Sequence, residues 1–139
     1  MSMIIEMLRK HEGVETHAYN CTANKTTIGV GRNIEAGSGL GLSMSEIDYL
    51  LANDVKRVDK ELSQAFEWYG ALNTPRKDAV IDMCFNMGLP RLKLFKKSIA
   101  AMDAGNYEIA AVEFLDSRWA KQVGHRAITI SEMIRSGEY

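Results

Sequence analysis

The longest alternation of apolar and polar positions in the chain predicts a helix over about residues 44–69. Apolar residues recur there every three or four positions, with charged residues between them, as expected for an amphipathic helix. Ser43 and Glu46 form a capping box at its start, and Gly70 marks its end. The apolar face comprises Ile47, Leu51, Val55, Val58, Leu62, Phe66 and Tyr69.

Shorter helical patterns precede and follow this segment. A first amphipathic helix over residues 1–12 ends before Gly13, and Pro75 begins another helix at the position that proline favours. Residues 79–87 of that helix are apolar on most faces, which predicts a buried, central element that Gly88 ends. The remaining helices are predicted near 94–104, 107–116 and 124–136.

The segment from residue 19 to residue 33 has a different character. Asn20, Asn24 and Lys25 predict a turn, and residues 26–31 predict a strand of β-branched residues and glycines. Few residues remain to pair with this strand, so we expect a sheet of two or three strands. The glycines of residues 37–41 lack the Lys-Ser/Thr of a phosphate-binding loop and predict a flexible loop.

Together these elements predict an α+β fold that is mainly α. A small N-terminal lobe with a short β-sheet, over about 13–45, is joined by the long helix to an all-helical C-terminal lobe. That helical lobe is expected to comprise about 70–139 together with the first helix. A cleft between two such lobes is a usual place for a substrate.

Composition and charge narrow the class of protein. The chain has 139 residues, about one domain, and its 17 Lys+Arg against 18 Asp+Glu give a net charge of −1. This balance argues against nucleic acid or an anionic membrane as the main partner. No apolar run approaches the roughly 20 residues of a membrane span, and the order of a signal peptide is missing. We therefore expect a protein made in the cytoplasm, without stable membrane insertion and without an export signal of its own.

Three residues at fixed spacing are candidates for hydrolytic chemistry. Glu12 lies where the first helix meets a loop, Cys21 follows nine residues later and Thr27 six residues after that. The turn and strand that carry the thiol and the hydroxyl can fold back against the end of the helix. The acid would then donate a proton to a leaving oxygen, while the other two groups hold a water molecule.

Two other chemistries are conceivable for Cys21 and for the three histidines of the chain. Cys21 could act as a nucleophile with His17 or His125 as its base, although no residue obviously orients either imidazole. A metal site built from His11, His17 and His125 lacks the spacing of known ligand motifs, so no metal or cofactor is expected. Both cysteines are interpreted as free thiols, and Cys84, among apolar neighbours, as a small core residue.

The order of several motifs resembles the phage-type lysozymes over nearly the whole chain. The residues that carry this resemblance are the segment 7–13, Tyr19, the segments 27–31, 42–43 and 83–88, Phe95, Ser98 and the segments 117–119, 125–127 and 135–137. The spacing Glu-x8-Cys-x5-Thr agrees with the family. The resemblance implies hydrolysis of the β-1,4 bond between N-acetylmuramic acid and N-acetylglucosamine in bacterial peptidoglycan.

The resemblance also assigns roles to individual residues. It implies that Glu12 is the general acid, that Cys21 occupies a position filled by aspartate or cysteine, and that Thr27 helps to hold the hydrolytic water. Arg126 matches an arginine that pairs with the catalytic glutamate across the cleft. The substrate-contacting positions implied by the family are Asn33, Phe85, Ser98 and Glu113, of which Asn33 and Glu113 differ in residue type.

The implied biology is that of an endolysin acting on peptidoglycan glycan strands during host-cell lysis. We expect a monomer that stays in the host cytoplasm until a holin-like partner permeabilises the membrane, and then reaches the periplasm and cell wall. Two alternatives are a cysteine peptidase or amidase that uses Cys21, and a non-catalytic peptidoglycan-binding protein that has lost the second carboxylate. The segment between Arg32 and Ser43 is shorter than in the T-even phage enzyme, which predicts a reduced small lobe.

Overall fold

Helices make up most of the protein, which is described over residues 2–139 by a computed structural model. Its chain forms two compact units, Met1–Tyr49 and Leu50–Tyr139. The predicted α+β, mainly α class is confirmed. Over the described residues, the helices are α1 (Met3–Glu12), α2 (Met44–Ala65), α3 (Thr74–Met87), α4 (Leu89–Leu92), α5 (Lys96–Asp103), α6 (Tyr107–Leu115), α7 (Arg118–Val123) and α8 (His125–Ser136), and the strands are β1 (Glu15–Asn20), β2 (Thr26–Gly29) and β3 (Arg32–Asn33).

A small antiparallel sheet of order β1-β2-β3 occupies the first unit. Thr27 stands at its centre, paired with Tyr19 of β1 and with Asn33 of β3. The predicted strand over 26–31 ends at Gly29, because the chain turns at Val30-Gly31 into a third strand of only two residues. Because β3 has only two residues, the start of β2 lacks a full ladder of backbone partners on that side.

The start of α2 follows the predicted capping box. The Ser43 N–H donates to Glu46 Oε1 at 2.8 Å, and the Glu46 N–H donates to Ser43 Oγ at 3.2 Å. Arg32 connects the hairpin to this helix start: its guanidinium lies 2.9 Å from Glu46 Oε2 and donates to the Gly41 carbonyl at 3.0 Å. The first turn of α2 is thereby tied to the sheet.

The long helix is shorter than its apolar pattern predicts. It ends at Ala65, because Phe66 has an extended backbone with φ −133° and ψ 117°, and a 3-10 helix follows over Glu67–Ala71. Tyr69 keeps the apolar spacing and is buried, and its hydroxyl donates to Asp59 of α2. The spacing of apolar residues therefore continues from the α-helix into the 3-10 helix that follows it.

In the second unit, the core is built around α3. Its buried residues include Cys84, so the interpretation of this cysteine as a core residue is confirmed. The helix is less completely buried than predicted, since Phe85 is 45% exposed. The helices predicted near 94–104, 107–116 and 124–136 correspond to α5, α6 and α8. Helices α4 and α7 were not predicted, because four and six residues are too few to show a period.

Candidate active site

Glu12 is the last residue of α1, and its carboxylate lies against the turn of the β2–β3 hairpin. Gly13 ends the helix with φ 79°, and its N–H donates to the Arg9 carbonyl at 3.0 Å. Gly31 is so close to Glu12 that a Cβ added to this glycine would lie 2.9 Å from Oε2 and 3.2 Å from Cδ of Glu12. The β2–β3 turn thus lies against the end of the helix. The expected convergence of Glu12 with Cys21 and Thr27 stays a prediction.

The thiol of Cys21 lies in the tight turn that joins β1 to β2. The Cys21 N–H donates to the Lys25 carbonyl at 3.0 Å, and the Asn24 N–H donates to the Cys21 carbonyl at 2.8 Å. Asn24 adopts the left-handed conformation with φ 59°, which asparagine tolerates better than most residues. Backbone hydrogen bonds from Lys25, and then from Ala23, to the sulfur lower the pKa of the half-buried Cys21 thiol.

The hydroxyl of Thr27 contacts the same turn from strand β2. Thr27 is 4% exposed, its Oγ1 donates to the Lys25 carbonyl at 2.9 Å, and its side chain helps to lower the pKa of the Cys21 thiol. One carbonyl therefore holds both the Cys21 backbone and the Thr27 side chain. The structure brings the predicted thiol and hydroxyl together.

The last residue of β3 and the loop after it contribute two more side chains to this region. Asn33 Oδ1 accepts a hydrogen bond from the Glu35 N–H at 2.9 Å, so its carbonyl oxygen has a structural partner. Glu35 in turn places its carboxylate on the Thr26 N–H, which lowers the pKa of this carboxyl. Sequence reasoning missed both Glu35 and Gly31, because these contacts arise only when the hairpin closes.

In the second unit, Phe85 and Arg126 line one open groove of about 320 Å³. Arg126 contacts the Asp82 carboxylate there, with Nε at 2.8 Å and the terminal nitrogen at 2.7 Å from Oδ1. The expected pairing of Arg126 with the catalytic glutamate stays a prediction. Asp82 was missed, although an acid within the mostly apolar stretch 79–87 was a signal for it.

Ser98 and Glu113 line a second groove of about 440 Å³ in the same unit. Ser98 is buried in the first turn of α5, and Glu113 is half-buried on α6. The four predicted residues of this unit therefore fall into two grooves, Phe85 with Arg126 and Ser98 with Glu113. Their contact with substrate stays a prediction.

The surroundings of the histidines bear on the alternative chemistries. His17 Nδ1 lies 3.1 Å from Thr16 Oγ1 on an exposed part of β1. Three residues of extended strand separate the backbone of His17 from that of Asn20, the residue before Cys21, by roughly 10 Å. No imidazole is among the groups that shift the Cys21 pKa. Among residues 2–139, no cluster of three or more His, Cys, Asp or Glu side chains has the geometry to hold a metal ion.

A mainly helical chain with a small antiparallel sheet, and with an acid at a helix end beside a hairpin, defines a lysozyme-like protein. The family model described as phage lysozyme matches residues 9–133, and the chain belongs to this family. The predicted family is thereby confirmed.

Three relatives have sequence identities of 25% to 29% with this chain. Probable T4-type lysozyme 1 of Dictyostelium discoideum is 28% identical over 99% of this chain and 96% of its own length. An endolysin of Acyrthosiphon pisum secondary endosymbiont phage 1 is 25% identical over 83% of this chain and 75% of its own length. Pre-baseplate central spike protein Gp5 of Enterobacteria phage T4 is 29% identical over 99% of this chain, which spans 28% of the length of Gp5.

Family membership and these similarities support a lysozyme-like lytic function and a glycoside hydrolase-like enzyme. Of the helices over residues 2–139, none combines the length and the apolar character that crossing a membrane requires.

Proposed function

We propose that the protein is an endolysin that hydrolyses the β-1,4 bond between N-acetylmuramic acid and N-acetylglucosamine in peptidoglycan. The observation that carries this proposal is the contact between the Glu12 carboxylate and the β2–β3 turn, in the unit whose β1–β2 turn holds Cys21 beside Thr27 of β2. An acid at a helix end, together with a thiol of lowered pKa and a neighbouring hydroxyl, can supply the groups that glycoside hydrolysis requires.

In the proposed reaction, Glu12 donates a proton to the glycosidic oxygen as the bond to the sugar C1 breaks. The leaving alcohol would otherwise depart as a high-energy alkoxide, so a positioned acid lowers the barrier. Gly31 has no side chain and so leaves room for the carboxyl group at this position, where an added Cβ would lie 2.9 Å from Oε2. Correct placement of the acid relative to the scissile bond is needed for efficient proton transfer.

Cys21 and Thr27 are proposed to hold the water that attacks C1. A thiolate accepts one water proton, and the lone pairs of the Thr27 hydroxyl accept the other, since the proton of that hydroxyl is directed at the Lys25 carbonyl. The lowered pKa of Cys21 favours the thiolate, which takes the part of the second carboxylate found in most glycosidases.

The remaining predicted residues are proposed to bind the glycan. One groove offers the exposed ring of Phe85 and the cation of Arg126. The other groove offers the hydrogen-bonding groups of Ser98 and Glu113. Aromatic faces and directed polar groups are the usual means of binding sugars in a concave site. Asn33 retains its amide N–H donors for a substrate, since only its oxygen is used in the loop. Delivery to the wall is proposed to depend on a holin-like membrane permeabiliser.

The test is the chemical nature of the ends that digestion creates. Purified peptidoglycan is digested, reduced with borohydride and hydrolysed, and we expect new reducing ends that are recovered as muramicitol. New free amines without new reducing ends would identify a peptidase or amidase instead. Binding to peptidoglycan without either product would identify a non-catalytic binding protein.

Cys21 gives a second prediction, on the pH dependence of lysis. Because the thiolate is the active form, lysis of outer-membrane-stripped cells should fall as the pH drops through the thiol pKa. Cys21→Asp should move this acidic limb to lower pH, since an unperturbed aspartate titrates near about 3.9. Cys21→Ser, which has no anion to offer, should lose about tenfold or more in rate.

Cys84→Ala is the matched control, because Cys84 is buried in the core of the second unit, where burial raises its pKa. The acidic limb of lysis against pH should be the same for Cys84→Ala as for the unmodified protein. A Cys21→Ser variant with the full rate and the same acidic limb would contradict the role given to the thiol.

A further inference from the structure

The start of β2 is completed by a side chain instead of a strand. The Ile34 N–H donates to the Thr26 carbonyl at 2.8 Å, but β3 has already ended at Asn33 and provides no backbone acceptor for the Thr26 N–H. Glu35 Oε2 accepts that hydrogen bond, at 2.5 Å. The carboxylate thus replaces the acceptor that a longer third strand would have supplied.

The loop around Glu35 is built to hold this residue in place. Its N–H donates to Asn33 Oδ1, its carbonyl accepts from the Gly39 N–H at 2.8 Å, and the Leu40 N–H donates to the Asn33 carbonyl at 2.8 Å. Gly39 lies so close that an added Cβ would be 2.6 Å from both the Asn33 oxygen and the Glu35 nitrogen. The loop predicted to be flexible is closed by these contacts.

The peptide group that Glu35 holds also carries the groups of the candidate site. The Thr26 N–H and the Lys25 carbonyl belong to one planar peptide unit. That carbonyl accepts hydrogen bonds from the Cys21 N–H at 3.0 Å and from Thr27 Oγ1 at 2.9 Å. A charged acceptor at one end of a peptide group polarises it and strengthens its carbonyl as an acceptor at the other end.

We propose that Glu35 is a positioning residue, which fixes the Lys25–Thr26 peptide group and through it the Cys21 thiol and the Thr27 hydroxyl. The inference rests on the proposed function, in which these two groups hold the attacking water. The Thr26 N–H, and secondarily the Lys25 charge, lower the pKa of Glu35, so the carboxylate persists at neutral pH. Glu35 itself touches neither the substrate nor the water.

The experiment measures the thiol directly. The rate at which iodoacetamide alkylates Cys21 is followed against pH by peptide mass spectrometry in the full chain, for Glu35→Ala, Glu35→Gln and the unmodified protein. Without the carboxylate, the backbone N–H groups of the turn should no longer be oriented toward the Cys21 sulfur. The pKa of the Cys21 thiol should then rise toward about 8.5. At pH 6, alkylation in Glu35→Ala should be slower by about threefold or more. Glu35→Gln, which keeps an acceptor without the charge, should lie between the two.

Glu46→Ala is the matched control, because Glu46 also accepts a backbone N–H in the same unit, from Ser43. Its thiol pKa should equal that of the unmodified protein. Alkylation of the buried Cys84 reports unfolding in the same samples. An unchanged thiol pKa in folded Glu35→Ala, or in Glu35→Gln if the first variant unfolds, would overturn the proposal.

Lysis by the same variants separates this proposal from the proposed function. We expect Glu35→Ala to lose lytic activity in parallel with the change in the thiol pKa. If Cys21→Ser lyses cells normally, the water-holding role proposed for the Cys21 thiol fails, while the alkylation profile still decides whether Glu35 positions the turn.

Discussion

Glu12→Gln is expected to lower the rate of wall lysis by about 10²- to 10⁴-fold, the usual contribution of a general acid. The amide has nearly the shape of the carboxyl group and can keep its place against Gly31, but it has no acidic proton to give to the leaving oxygen. Turbidity loss of outer-membrane-stripped cells measures the effect. Binding to insoluble peptidoglycan should change little, because the substitution removes the acidic proton but leaves the shape of the binding surface almost unchanged.

Glu6→Gln is the matched control for this prediction, since Glu6 is an exposed acid of the same helix. We expect it to lyse cells at the rate of the unmodified protein. Full activity in Glu12→Gln, combined with loss in both Cys21→Ser and Cys21→Asp, would indicate a thiol nucleophile and exclude the acid mechanism.

The prediction of the fold from sequence succeeded where local signals decide the structure. The capping box at Ser43 and Glu46, and proline at the start of α3, mark helix ends through contacts within a few residues. The end of α2 was misplaced, because Phe66 turns the chain while Tyr69 continues the apolar spacing. A pattern of burial does not distinguish an α-helix from a 3-10 turn that continues its buried face.

The candidate site divides in the same way. Glu12, Cys21 and Thr27 were predicted from residue type, spacing and family resemblance, and in the structure the Cys21 backbone and the Thr27 hydroxyl donate to the same carbonyl, that of Lys25. Glu35 was not predicted, because its role follows from a third strand that is only two residues long. Such a role depends on which backbone N–H group lacks an acceptor in the folded sheet, and the sequence alone does not reveal that group.

Arg126 illustrates a further limit. The family resemblance assigned it a partner by analogy, while its described contact is with Asp82 on α3. An exposed ion pair of this kind contributes about 1 kcal/mol or less to stability. The arginine can therefore exchange this partner for another at small cost, and a sequence has no means to rank partners of such similar energy.

Gly31→Ala is the second substitution with a large expected effect, a loss of lytic activity of about 10- to 100-fold. The new methyl group would lie 2.9 Å from Glu12 Oε2, a distance that real Cβ atoms do not show. The carboxyl group is the far end of a flexible side chain, so it should move away more easily than the hairpin. Displacement of the acid by about 1 Å is enough to misalign its proton with the glycosidic oxygen.

Gly29→Ala separates this effect from backbone strain. Gly29 has φ +70° against +66° for Gly31, and it belongs to the same hairpin, but an added Cβ there meets nothing within 4 Å. Each alanine should cost about 1–2 kcal/mol in stability, because both adopt the left-handed conformation. Thermal unfolding should therefore shift alike in the two variants, while only Gly31→Ala loses lysis. Equal loss of lysis in both would mean that the hairpin backbone, and not the contact with Glu12, controls the activity.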